Sequence, residues 1–214
     1  MKKTKVKICG LMSVIDAEIM NKYSPDYCGV VFAKGRHFVS DEQAYEIRKA
    51  LDSKVPLVGV FVNEDIEHIC SLVRKDIIQI IQLHGDENSA YIKELKRLFE
   101  QEADEKIKNI QIIKAVKISN SKETTKDFDA LGDMLLFDTF SSKAQGGTGK
   151  RFDINLLPPE INKPFFIAGG VTPENVDEII TQAKPYAVDV SSGVETDGHK
   201  DEEKIKKLIQ TVRK

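Results

Sequence analysis

The chain has 214 residues, 41% of them hydrophobic and 31% charged, the balance of a soluble globular protein with enough apolar side chains for one sizeable core. Thirty-two Lys and Arg against thirty-four Asp and Glu leave a net charge of -2, so there is no positive field to hold a nucleic-acid backbone. No apolar run approaches the roughly 18–20 residues that span a bilayer, and Lys2, Lys3 and Lys5 lead into a strand-like segment rather than a signal sequence; a cytoplasmic protein with no membrane partner is expected.

In chain order, short β-branched runs over 6–9, 27–32, 57–62, 77–83, 110–116, 134–137, 164–168 and 186–190 predict eight strands. Helical spacing between them predicts helices over 13–22, 40–51, 64–74, 89–100, 122–131, a short one near 154–157, then 173–182 and 202–212. Ser40 with Gln43 resembles a capping box, Asn63 precedes an acidic first turn, and Thr172-Pro173-Glu174 puts proline at a first helical position. The charged stretch 100–109 is most simply an extension of the fourth helix with its loop. Eight βα units in 214 residues, about 27 each, predict a single-domain (β/α)8 TIM barrel over 1–214, an α/β fold with parallel strands. An open dinucleotide-binding sheet is disfavoured, because Cys9-Gly10-Leu11 stands after the first strand where a G-x-G-x-x-G would be needed.

Reactive groups in such a barrel sit where strands end. Strand one ends in Cys9-Gly10, and strand two opens onto Lys34, Gly35, Arg36 and His37. Strand four ends in Gln82, Leu83 and His84, and strand six in Asp138. Glycine-bearing loops after strands six, seven and eight let backbone N–H groups approach an oxyanion closely, which predicts a phosphate ester as ligand. Their candidates are Gly147 and Gly149, Gly170, and the run Asp189, Ser191, Ser192 and Gly193. Each loop taken alone is also readable as a helix cap or tight turn, the less favoured reading, and three on one side of the barrel weaken it further.

Cys9, Cys28 and Cys70 are an odd set without C-x-x-C spacing, so neither a disulfide framework nor a zinc site is expected. Cys28 and Cys70 read as packed residues. Cys9 at the barrel mouth reads either as a small buried hydrophobe or as a thiolate base whose pKa is lowered by neighbouring cations. Asp138, behind Leu135-Leu136-Phe137, is set for desolvation, which raises a carboxyl pKa toward that of a general acid; capping its own loop is the competing role. Arg36 has the fork geometry for a planar carboxylate. His84 either touches ligand or bonds its own loop, while His37, His68 and His199 read as loop or surface residues, and Lys150 as solvated.

Lys7-Ile8-Cys9-Gly10, Gly59-Val60-Phe61-Val62-Asn63-Glu64, Gln82-Leu83-His84-Gly85 and Gly146-Gly147-Thr148-Gly149-Lys150 together resemble phosphoribosylanthranilate isomerase of tryptophan biosynthesis. Ala168-Gly169-Gly170, Pro173-Glu174-Asn175-Val176 and Val188-Asp189-Val190-Ser191-Ser192-Gly193-Val194-Glu195 extend the resemblance over nearly the whole chain. It implies a cofactor-free Amadori rearrangement of a small phosphoribosyl substrate, with Asp138 as general acid, Cys9 as general base, Arg36 on the anthranilate carboxylate and the glycine loops on the phosphate. It also leaves a monomer or a homodimer open. The segment around 34–38 is more compact than the family pattern, which makes Lys34 the alternative to Arg36. Two other readings stand beside it: a Schiff-base lyase or aldolase using Lys7 or Lys114, and a phosphate-ligand binding barrel without turnover.

Overall fold

The strand segments close on themselves. In the computed structural model, which describes residues 3–117, 131–138, 157, 158 and 160–214, strands β1 (Lys5–Cys9), β2 (Tyr27–Val31), β3 (Leu57–Phe61), β4 (Ile80–Leu83), β5 (Gln111–Lys117), β6 (Met134–Asp138), β7 (Phe165–Ala168) and β8 (Ala187–Val190) form a closed parallel barrel. Each strand pairs with the next, and β1 pairs with β8 through Lys7↔Asp189. This is the expected (β/α)8 TIM-barrel architecture.

Period-two alternation sorts the strand side chains into two buried layers. Tyr27, Val58, Ile80, Ala115, Leu136 and Phe166 fill the lumen. Val6, Ile8, Val30, Leu57, Ile81 and Val188 face outward into a second core beneath the helices. Both faces are apolar, as parallel strands buried on both sides require. The fourth strand is shorter than the 77–83 run: Ile77 and Ile78 are buried, but they precede the ladder.

Helices α1 (Val14–Tyr23), α2 (Asp41–Ala50), α3 (Ile66–Arg74), α4 (Ser89–Glu100), α5 (Glu105–Lys108), α6 (Val176–Ala183) and α7 (Glu202–Arg213) lie between and after the strands. Ser13 with Asp16 and Ser40 with Gln43 form reciprocal capping boxes, each satisfying two orphan amides. Asp65, not Asn63, caps α3; Asn63 adopts a positive φ of 52° in the preceding turn. Pro173 likewise lies in the turn before α6, which starts at Val176. The 100–109 stretch does not prolong α4. Asp104 accepts from the Lys106 amide and starts the separate four-residue α5. The helices expected over 122–131 and near 154–157 fall, but for Leu131 and Leu157, outside the described residues. None of the described helices is long and apolar enough to cross a membrane.

After β8 come a one-turn 3-10 helix (Ser192–Val194) and a small hairpin of β9 (Glu195–Thr196) and β10 (His199–Lys200). Asp197 and Gly198, with φ of 51° and 83°, make the two-residue turn that joins them. The hairpin lies at the C-terminal end of the barrel and directs Lys200 into it.

Candidate active site

On its inward face β1 carries Lys7 and Cys9. The Lys7 ammonium lies 2.9 Å from both carboxylate oxygens of Asp189, and Lys7 is 0% and Asp189 8% exposed. Asp189 therefore belongs to the lumen beneath the mouth rather than to the loop that follows β8. Cys9 is paired in register with Gly29 of β2. A Cβ on Gly29 would lie 2.8 Å from Cys9 Sγ and 3.2 Å from Lys7 Nζ, so the missing side chain is what lets thiol and ammonium meet. Burial pushes Lys7 down, but Asp189 and Cys9 outweigh it and hold the ammonium above the ordinary lysine value. For Cys9 the balance runs opposite to the expectation from sequence: burial pushes the thiol up, and Lys7 offsets only part of that. Cys28 and Cys70 are buried, as expected.

Across the barrel, Asp138 closes β6 behind the buried Leu135, Leu136 and Phe137. Its Oδ2 lies 3.2 Å from His84 Nε2, and His84 Nδ1 lies 3.0 Å from Gln82 Nε2. His84 thus neither caps its own loop nor stands free for ligand; it braces a carboxylate 54 residues along the chain. Asp138 Oδ1 is buried without a hydrogen-bond partner among the described residues.

The third side of the mouth is an ion network. Arg36 Nη2 donates to Glu195 Oε2, leaving the rest of a guanidinium side chain that is 58% exposed. His37 Nε2 lies 2.9 Å from Glu195 Oε1. The buried Lys200 donates to Glu195 Oε1 at 2.7 Å, to the Cys9 carbonyl at 2.6 Å and to the Ser191 carbonyl at 3.3 Å. Burial raises the Glu195 carboxyl, but Lys200, His37 and Arg36 together hold it below the usual carboxylate range. Lys34 is exposed at the loop tip. His37, read from sequence as a loop residue, packs against the mouth: a Cβ on Gly10 would meet its ring and Ser191 Oγ, both at 3.0 Å.

The loops after β7 and β8 touch. Gly169 and Gly170 have φ of 87° and 66°, and Asn175 Nδ2 donates to the Gly170 carbonyl. A Cβ on Gly193 would stand 1.9 Å from the Val171 carbonyl oxygen, so only glycine permits this approach. Ser191, Ser192 and Gly193 lie on the β8 side of that seam. Gly147 and Gly149 lie outside the described residues.

The lysines of the lyase reading are both committed elsewhere. Lys114 faces outward from β5 and donates to Glu87 Oε2 and to the Gly85 carbonyl, each at 2.7 Å. Lys7 is held as an ammonium by Asp189, the opposite of the neutral amine a Schiff base needs. Among the described residues no group of three or more His, Cys, Asp or Glu is placed to hold a metal ion. Sequence reasoning named Gln82 only as a strand end and Glu195 only within a motif, and missed Lys200. Thr196-Asp197-Gly198-His199 carried the signal for the last, a two-residue hairpin turn.

A thiol over a lysine, a braced carboxylate facing it and an arginine at the rim form a pattern that can be compared with known proteins. The family model described as N-(5'phosphoribosyl)anthranilate (PRA) isomerase matches residues 6–211. N-(5'-phosphoribosyl)anthranilate isomerase of Clostridium acetobutylicum is 44% identical over 213 residues, 98% of each chain. The crystal structure of the Thermotoga maritima phosphoribosyl anthranilate isomerase superposes with a TM-score of 0.83 at 34% identity, covering 98% of both chains. A phosphoribosyl anthranilate isomerase in complex with reduced 1-(o-carboxyphenylamino)-1-deoxyribulose 5-phosphate superposes with a TM-score of 0.77 at 30% identity, again over 98% of both chains. A match that runs from the first strand to the last helix, on this barrel, means that the chain belongs to the phosphoribosylanthranilate isomerase family.

Proposed function

We infer that the chain converts N-(5-phosphoribosyl)anthranilate into 1-(2-carboxyphenylamino)-1-deoxyribulose 5-phosphate, the Amadori step of tryptophan biosynthesis, by acid and base catalysis. One observation carries the division of labour. Cys9 and Asp138 are the last residues of β1 and β6, both on the inward face at the same barrel end and three places apart around an eight-strand ring. A sugar held between them would meet a base on one side and an acid on the other.

Asp138 gives its proton to the furanose ring oxygen as the C1–O bond breaks, and the anilino nitrogen lone pair forms the C1=N iminium. That cation draws electrons from C2, so a modest base suffices. Cys9 as thiolate removes the C2 proton and the enolamine forms; loss of the C2 hydroxyl proton and protonation at C1 then give the ketone. Electrons move only within the substrate, so the balance closes without an external oxidant or reductant. Lys7 supplies the countercharge for the thiolate. Arg36, already fixed at one nitrogen by Glu195, turns its remaining N–H groups to the anthranilate carboxylate. The seam at Gly170, Ser191, Ser192 and Gly193, with Gly147 and Gly149, takes the phosphate. Pinning both anionic ends sets the reacting carbons between the two groups. Every group named comes from one chain, so a monomer and a homodimer would both carry complete sites.

The test is to supply freshly made phosphoribosylanthranilate and follow the fall in anthranilate-type fluorescence. Cys9→Ala and Asp138→Ala are each expected to lower kcat by roughly 10²–10⁴ while binding of the reduced product analogue persists. Turnover unchanged in either variant rejects that residue's role.

A further inference from the structure

We propose that Gln82 is a positioning residue whose side-chain amide, by turning over, loads and unloads the proton that Asp138 passes to the substrate. This rests on the reading of Asp138 as general acid. Gln82 points into the lumen from β4, is 1% exposed, and stands in line with His84 and Asp138 through contacts of 3.0 and 3.2 Å. Two oxygens along this line are buried without a hydrogen-bond partner among the described residues, Gln82 Oε1 and Asp138 Oδ1.

In the arrangement seen, the Gln82 amide N–H donates to His84 Nδ1, so the ring proton is on Nε2 and points at Asp138 Oδ2. The His84–Asp138 pair then has no proton to give. A proton taken up from solvent between turnovers makes both ring nitrogens donors, and the Nδ1–H needs a buried acceptor. Gln82 Oε1 becomes that acceptor when the amide turns, a move between two nearly isosteric orientations. The Nε2 proton passes to Asp138 Oδ2, the oxygen it already faces, and Oδ2 hands it on to the sugar ring oxygen. When the ring oxygen takes the proton and its bond to C1 breaks, the pair returns to imidazole and carboxylate and the amide turns back. Gln82 Oε1 thus acquires its partner in the loaded form.

The test uses the full chain with 15N-labelled histidine and follows the His84 ring nitrogens through a pH titration, assigned with His84→Gln. Gln82→Met, similar in size, removes the acceptor of the loaded form, whose hydrogen bond from a charged ring is the stronger of the two lost. The His84 midpoint is expected to fall by about one pH unit, a tenfold change, with kcat at pH 8 about tenfold lower and KM within about twofold. Gln82→Glu keeps an acceptor and discards the donor, so its midpoint is expected to rise. The added charge of Gln82→Glu raises the midpoint in any case, so Gln82→Met discriminates: a residue that only fills space would leave its midpoint at the wild-type value. A Gln82→Met midpoint unchanged or raised overturns the role of Gln82 and leaves Asp138 standing. Full turnover in Asp138→Asn removes the acid assignment and this proposal with it.

Discussion

Replacing Lys7 by methionine keeps an unbranched stem of similar volume in the lumen and deletes only the ammonium. What remains is an Asp189 carboxylate at 8% exposure that has lost a partner at 2.9 Å from both oxygens. Breaking a buried pair from one side costs about 3–5 kcal/mol, which for a chain of this length lowers Tm by roughly 6–20 °C. Removing both charges in Lys7→Met with Asp189→Leu strands nothing, and most of that stability is expected to return. The thiol does not recover in either variant, because the cation that offsets its burial is gone. Its alkylation by iodoacetamide, followed at Cys9 by peptide mass, should shift to higher pH in both, and turnover at neutral pH should fall. The share that Lys7 contributes through its raised value is present below the ordinary lysine value of 10.5 and is lost as pH climbs through the higher folded value. Urea unfolding of the three proteins is the assay. A single variant within about 1 kcal/mol of wild type, below the range for a broken buried pair, or a double variant no more stable than the single, would refute the reasoning.

Gly29→Ala forces a methyl to 2.8 Å from Cys9 Sγ; kcat is expected to fall about 10²-fold for a stability loss of about 1–3 kcal/mol, and wild-type kcat would mean that the thiol's position does not matter. Gly193→Ala cannot coexist with the Val171 carbonyl at 1.9 Å, so the β7 and β8 loops must part. The expected result is a KM for the phosphorylated substrate raised at least tenfold, checked by steady-state kinetics. Burial raises the Glu87 carboxyl, but Lys114 and the Asn63 and Glu87 amides outweigh it and hold it below the ordinary 4.5. Its share of stability is therefore present above that value and lost as pH falls through the folded one. Glu87→Gln should flatten the stability slope between pH 5 and 3, read by urea unfolding at each pH.

The barrel was legible because its determinants are local: β-branched runs, helical spacing and Ser40 capping can each be read within a dozen residues. So were Cys9 and Asp138 as strand ends, and Arg36 in the loop onto which the second strand opens. Their supports were not. Lys7 shows as a charge two residues before Cys9 on one strand face, yet the Asp189 that fixes it lies 182 residues on. His84 divided evenly between ligand and loop because nothing in Gln82-Leu83-His84-Gly85 tells of a carboxylate in β6. Cys9 was misjudged in sign for the same reason, since desolvation is a property of the closed lumen and not of the sequence around the thiol. The α3 start was misplaced because Asn63 and Asp65 are both good caps, and only the positive φ of Asn63 separates them.

Lys200 grips the carbonyl of a residue 191 positions earlier. A ribosome building this chain makes the base-bearing strand long before its brace, so a nascent chain that has not yet reached the hairpin lacks the contact that holds that strand end. Activity should therefore appear only once the hairpin has emerged, and fragments ending before it should remain inert even where most of the sheet has formed.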